Sequence, residues 1–237
     1  MSQVLVTGAS SDIGIEVCRR YLAEGFQIVG LYNTGQDTFF DLMESSENAT
    51  SLKVNFTDSS ALDAALDEHS ALLSASDVLI NAAARWEATP YEELSADKIL
   101  TLLKINLLPG VILTATLGPK MAARGWGRIV HVSSIGVKFG GGSSSFAYAL
   151  SKHALEFMPS AVKEWAARNV FVNVLRVGVT DTRMHRLDGD KNMADRVAKI
   201  PAKRMATPDE IARTIVWFGS NQNSYITGQT VAMSGGE

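Results

Sequence analysis

Several features are scarce in this sequence, and each scarcity excludes something. Cys18 is the single cysteine of 237 residues, so there is no internal disulfide and no cysteine metal cluster, and a reducing cytoplasm fits. The 22 Lys and Arg stand against 25 Asp and Glu, a net charge of −3, and the basic residues form no long run, which argues against a nucleic-acid partner. A β-like hydrophobic pattern starts at Val4, leaving no room ahead of it for a charged segment, an apolar core and a cleavage site. Secretion through a signal peptide is therefore not expected. The longest apolar stretch, around Leu100 to Leu117, is interrupted by Lys104, Asn106, Pro109 and Gly110 and falls short of an uninterrupted membrane span, so a soluble protein is expected. Aromatic residues make up only 8%, yet 46% of the chain is hydrophobic and 20% charged, which is globular and excludes disorder. Length alone allows one or two domains.

Short buried strands are predicted at Val4 to Thr7, Gln27 to Tyr32, Ser51 to Asn55, Asp77 to Asn81, Arg128 to Val132, Val170 to Leu175 and Thr230 to Met233. Helical spacing separates them: Ile13 to Glu24, Phe39 to Glu44, Ser60 to Leu73, Ser95 to Ala115, and a long helix from Phe146 to Arg168. A last helix begins near Thr207, where Thr207-Pro208-Asp209-Glu210 supplies an N-cap, a proline in the first turn and acidic residues at the positive helix end. Alternation of this kind implies βαβ crossovers and a mostly parallel sheet. No linker or repeat divides the chain, so the expectation is an α/β fold, one doubly wound domain over residues 1–237.

The first strand runs into Thr7-Gly8-Ala9-Ser10-Ser11-Asp12-Ile13-Gly14 and then a helix, where a glycine turn lets phosphate approach a helix N-terminus. This stretch resembles the TGxxxGxG cofactor loop of short-chain dehydrogenases/reductases, with Asp12 standing where the middle glycine is usual. A carboxylate there repels a pyrophosphate unless it turns outward to favour the helix N-terminus. The resemblance implies a Rossmann-type fold and an NAD(P) cofactor held by Gly8, Ser10, Ser11, Asp12, Ile13 and Gly14. At the end of the second strand, Tyr32, Asn33 and Thr34 include no acid to bind ribose hydroxyls and repel a 2′-phosphate. Neither Ser11 nor Asn33 is the arginine that NADP-preferring relatives often place there, but Asn33 and Thr34 can hydrogen-bond a phosphate, so the balance leans to NADP(H) over NAD(H). Asn55 and Phe56 resemble the family's adenine-contacting DVxD stretch, and Asn81-Ala82-Ala83-Ala84 resembles NNAG beneath the adenosine and nicotinamide ribose. Val177-Gly178-Val179-Thr180-Asp181-Thr182 resembles PGxIxT, so Gly178, Val179 and Thr182 are expected against the nicotinamide, with Val177 replacing the proline.

Tyr148 and Lys152 lie four residues apart, on one helix face about one turn apart. A cation beside a phenol lowers its pKa and makes it a proton exchanger. Taken alone, YxxxK is common and fits an exposed helix face better than a catalytic pair. Its position adds weight, because Ser133 and Ser134 end the preceding strand and converge on the same rim of the sheet. The family resemblance assigns the substrate-binding serine to Ser134, with Ser133 the substitute, and the water-holding asparagine to Asn106. It also implies that Tyr148 and Lys152 contact the nicotinamide ribose. Asn106 alone reads equally as a helix-kink residue near Pro109.

These residues imply a carbonyl reductase or alcohol dehydrogenase acting on a small molecule, resembling 3-oxoacyl-ACP reductases, with no metal. The resemblance further implies a homodimer or homotetramer. The segment from Arg183 to Lys203 is a lid in prospect. Arg183, His185 and Arg186 either meet an anionic substrate or form a solvated basic turn, and Arg85 and Trp86 fall near the pocket. His131 reads as a strand residue and Cys18 as a buried helix position. A sugar-nucleotide epimerase needs a further substrate domain for which no residues are expected to remain. The same residues leave room for a non-catalytic dinucleotide-binding regulator, or for a scaffold that binds no cofactor.

Overall fold

Strands whose residues are apolar in both directions must be covered on both faces, and the helices that follow each strand supply the cover. The computed structural model describes residues 2–186 and 193–237. In it, β1 (Gln3–Thr7), β2 (Gln27–Tyr32), β3 (Ala49–Lys53), β4 (Val78–Asn81), β5 (Gly127–Ser134), β6 (Val170–Val177) and β7 (Thr230–Met233) form an all-parallel sheet, ordered β3-β2-β1-β4-β5-β6-β7. The expected doubly wound α/β fold is present. Helices α1 (Asp12–Ala23), α2 (Asp37–Glu44) and α11 (Pro208–Phe218) pack on one face, where Val17, Tyr21, Phe39 and Ile215 meet Val4, Val6 and Ile80. The alternate strand residues Leu5, Leu79 and Ile129 point the other way, onto α3 (Ala61–Glu68), α4 (Ser70–Ser74), α6 (Leu108–Arg124) and α8 (Ala161–Ala166). Cys18 is buried in α1 and its thiol is pushed up to about 12 by burial, an inert helix position.

Besides shifts of one or two residues at several ends, four departures from the sequence expectation have a local reason. The single helix expected over Ser95 to Ala115 is two, α5 (Ala96–Asn106) and α6, which meet at Leu107 (φ −118°, ψ −59°) just before Pro109. The run 96–124 has the length and mean hydropathy (1.7) of a membrane span, but Leu113, Leu117 and Met121 on its inner side are packed against the sheet. The helix expected to reach Arg168 stops as α7 (Phe146–Leu155) and resumes as α8, because Pro159 lacks the N–H and disfavours helix in the residue before it. His69 (φ −111°, ψ 26°) divides the helix expected over Ser60 to Leu73. Strand β3 ends at Lys53, two residues early, since the Asn55 side chain instead accepts from Thr57 N (3.1 Å) and Thr57 Oγ1 (2.8 Å) in a turn of its own. The predicted Thr207 cap is a full capping box with Glu210.

In this topology the chain reverses direction across the sheet between β1 and β4, so a crevice opens at their carboxyl ends. The segment expected as a lid contains α9 (Arg183–Arg186) and α10 (Met193–Lys199); its residues 187–192 lie outside the described residues.

Candidate active site

The turn after β1 is shaped by backbone contacts. Gly8 has φ +67°, and a Cβ there would lie 2.7 Å from Ala83 Cα; one on Gly14 would lie 2.2 Å from Gly8 O. Ser11 caps α1 by accepting from Gly14 N (3.0 Å), which leaves Asp12 and Ile13 in the first turn with N–H groups that have no intrahelical acceptor. These groups border a cavity of about 1160 Å³, which Gly8, Ser10, Ser11, Asp12 and Ile13 help to line; Gly14 does not reach it. The volume and the helix N-terminus fit a dinucleotide with room for a small substrate.

Asp12 does not face the cavity as a bare carboxylate. Its Oδ2 accepts from Arg183 N (2.6 Å) and its Oδ1 from Arg183 Nε (3.0 Å), with Arg186 at 3.8 Å. The residue that departs from the expected glycine thus joins the cofactor turn to the start of α9. Asp12 still borders the cavity; what offsets its charge is not an outward turn toward the helix end but an arginine 171 positions away.

At the end of β2, Tyr32, Asn33 and Thr34 line the cavity, and Ser10 Oγ donates to Thr34 O (2.6 Å). Tyr32 stacks edgewise on Phe40 and lies 5.2 Å from the Phe39 ring. Phe56 lines the cavity but Asn55, occupied by its turn, does not, so the expected adenine contact from the Asn55 side chain is corrected. Asn81 is likewise turned into the sheet, where its Nδ2 meets His131 Nδ1 at 3.0 Å, while Ala82 and Ala83 line the cavity. His131 is a buried strand residue, as expected.

Across the crevice, Ser134, Tyr148 and Lys152 line the same cavity. Strand alternation separates the two serines. Ser133 Oγ donates to Glu156 Oε1 (2.6 Å) in a buried knot with Arg176, whereas Ser134 is hydrogen-bonded to the Tyr148 side chain and accepts from Gly136 N (3.2 Å). Lys152 Nζ donates to Val132 O (2.9 Å) and Ala83 O (3.3 Å), so it ties α7 to the ends of both β4 and β5. Asn106 does not line the cavity and does not touch Lys152. Its Oδ1 accepts from Arg85 N (2.8 Å), and its Nδ2 donates to Arg85 O (3.0 Å) and Ser151 Oγ (2.9 Å). It is the last residue of α5 at the bend, which is the kink position that the sequence also allowed. Gly178, Val179 and Thr182 line the remaining wall, with Val177 extending β6 in register with Met233. Trp86 lines the pocket and donates to Ser145 Oγ (3.4 Å). Arg85 and Ser151 escape sequence reasoning as the partners of Asn106; the serine just before Lys152 is the available signal.

Burial dominates the electrostatics. It pushes the Tyr148 phenol up to about 12, against the Ser134 hydrogen bond, and brings the Lys152 ammonium down to about 7. The expected depression of the tyrosine by its lysine is therefore reversed, because both groups lose solvent in the cavity wall. Burial, followed by the Lys152 charge, holds His131 down at about 4.

A family model described as enoyl-(acyl carrier protein) reductase matches residues 8–237. The chain belongs to the short-chain dehydrogenase/reductase family. It is accordingly an NAD(P)-dependent dehydrogenase or reductase. It is similar to nodulation protein G of Rhizobium sp. (31% identity, 99% of this chain and 96% of the relative). It also resembles 3-oxoacyl-(acyl-carrier-protein) reductase FabG of Salmonella typhimurium (29%; 98% and 95%). Among solved structures, a putative NAD(P)-dependent gluconate 5-dehydrogenase from Beutenbergia cavernae with bound NADP superposes with a TM-score of 0.88 at 32% identity, covering 99% of this chain and 96% of that one. Within this short-chain dehydrogenase/reductase chain, the ion-paired Asp12 is the main departure at the cofactor turn.

Proposed function

We propose that this protein interconverts a ketone and a secondary alcohol with NADP(H), through Ser134, Tyr148, Lys152 and Asn106. The observation that carries the reading is the convergence of Ser134, Tyr148 and Lys152 on the cavity that also holds the glycine turn. The nicotinamide, when bound, supplies or accepts the hydride. Ser134 polarises the substrate oxygen through its hydroxyl. Tyr148 Oη gives its proton to that oxygen in reduction and takes it back in oxidation. Lys152, with two carbonyls accepting from Nζ, borders the cavity, where it holds the nicotinamide ribose and, when charged, favours the phenolate against the burial that raises it. Asn106 fixes the backbone of Arg85 and the hydroxyl of Ser151, and so orders the water path to Lys152. Ser10, Ser11, Asn33 and Thr34 hold the phosphates and adenosine ribose, while Gly178, Val179 and Thr182 meet the carboxamide.

The relatives' names make 3-oxoacyl thioesters the first substrates to assay, followed by keto sugar acids. We also place the protein in the cytoplasm, as one catalytic unit without nucleic-acid or membrane partners. It assembles as a homodimer or homotetramer through the outer faces of α5 to α7, where Leu100, Leu108, Val111 and Leu150 are exposed. NADPH and NADH oxidation across a panel of thioesters, ketones and keto acids tests the reading. Tyr148→Phe is expected to lower kcat by about 10²- to 10⁴-fold while leaving the NADPH dissociation constant in place. Near-normal turnover in that variant would sink the assignment.

A further inference from the structure

A cofactor with a 2′-phosphate needs a cation near the end of β2, yet Tyr32, Asn33, Thr34 and Ser11 provide none. A guanidinium arrives from the opposite side. Arg183, first residue of α9, donates from its backbone N and from Nε to the Asp12 carboxylate, and from Nη2 to Ser10 O at 2.8 Å. The same Ser10 carbonyl accepts from Gln36 Nε2 (3.3 Å), and the Ser10 hydroxyl donates to Thr34 O (2.6 Å), so the guanidinium lies on the β2 side of the turn. Arg183 lines the cavity, its side chain is 43% exposed, and its Nη1 has no acceptor among the described residues. A fork braced on two sides with one edge open is the donor set that phosphate oxygens match.

We propose that Arg183 receives the 2′-phosphate of the NADP-type cofactor, and that Asp12, in place of the family's glycine, is the positioning residue that holds it there. This rests on the oxidoreductase reading above and names the group that sets its cofactor preference. Loss of Arg183 removes the phosphate's partner and leaves the Asp12 carboxylate beside it with only the more distant Arg186 (3.8 Å), so both effects act in the same direction.

Calorimetric titration with NADPH, NADH, adenosine 2′,5′-bisphosphate and 5′-AMP tests this without turnover. Arg183→Gln is expected to weaken NADPH and the bisphosphate by about tenfold or more, and NADH and 5′-AMP by less than about threefold. Arg183→Lys, which keeps the charge without the fork, falls between. Asp12→Asn alone lowers the preference for NADPH over NADH by about threefold, and by nothing further when Arg183→Gln is already present. Equal weakening of both dinucleotides, which would mean that the guanidinium serves the pyrophosphate, overturns the proposal. So does an unchanged NADPH affinity, or a wild-type protein that binds NADH more tightly than NADPH. A wild-type protein that binds NADPH but turns over no carbonyl instead defeats the catalytic reading, while the ratio of dissociation constants still decides the role of Arg183.

Discussion

Strand β5 has a buried cation at each end, and neither has a carboxylate partner among the described residues. Arg128, at the amino end, donates to the carbonyls of Gly127, Asn169, Ser220 and Asn223 and stacks on Phe171 (4.2 Å) and Trp126 (4.8 Å). Lys152, packed at the carboxyl end, has two carbonyls. Burial lowers both, Arg128 to about 10 and Lys152 to about 7. The first is saturated with partners and stays charged at any physiological pH. The second is held with its charge balanced near neutrality. One cation closes the bottom of the sheet; the other is left adjustable in the wall of the cavity, where the proposed reaction occurs, a contrast typical of structural and functional ionisable groups.

Substitution at both ends gives the largest test of that contrast. Lys152→Met is expected to reduce kcat by about 10²- to 10⁴-fold without lowering the melting temperature. Arg128→Met strands several buried carbonyls and should destabilise the fold by about 3 kcal/mol or more, while kcat per folded molecule is retained. Activity assays and thermal melts on both variants check this, and an exchange of the two phenotypes would break the comparison.

The pH dependence sharpens it. Between about pH 7 and 10 the unfolded chain keeps a proton on Lys152 that the folded chain has released, so this residue makes stability rise with pH across that window. Denaturant titrations should find that component missing in Lys152→Met. The smallest effect belongs to His131. Its imidazole takes a proton at about pH 6.5 when unfolded but only near 4 when folded, so stability falls as pH drops between those values. His131→Asn should flatten that limb by roughly 3 kcal/mol or less.

Most of the strand positions and the site rim are legible from apolar periodicity and from the serine, tyrosine and lysine spacing, because those depend on neighbours close in sequence. Pro159 is visible too, but a helical pattern running through it outweighs the breaker. A motif match places Asn55 and Asn81 at the cofactor because it says nothing about which polar neighbour, Thr57 or His131, competes for the side chain. The Asn106 contacts with Arg85 and the Asp12 contact with Arg183 join distant segments, and no local pattern encodes them.

The Asp12 contact also carries a consequence for synthesis. Strands β1 to β4 and their helices emerge first and contain the whole glycine turn, yet its carboxylate meets its counter-ion only after a further 171 residues. Until α9 leaves the ribosome, the turn presents an unmatched negative charge to any nucleotide.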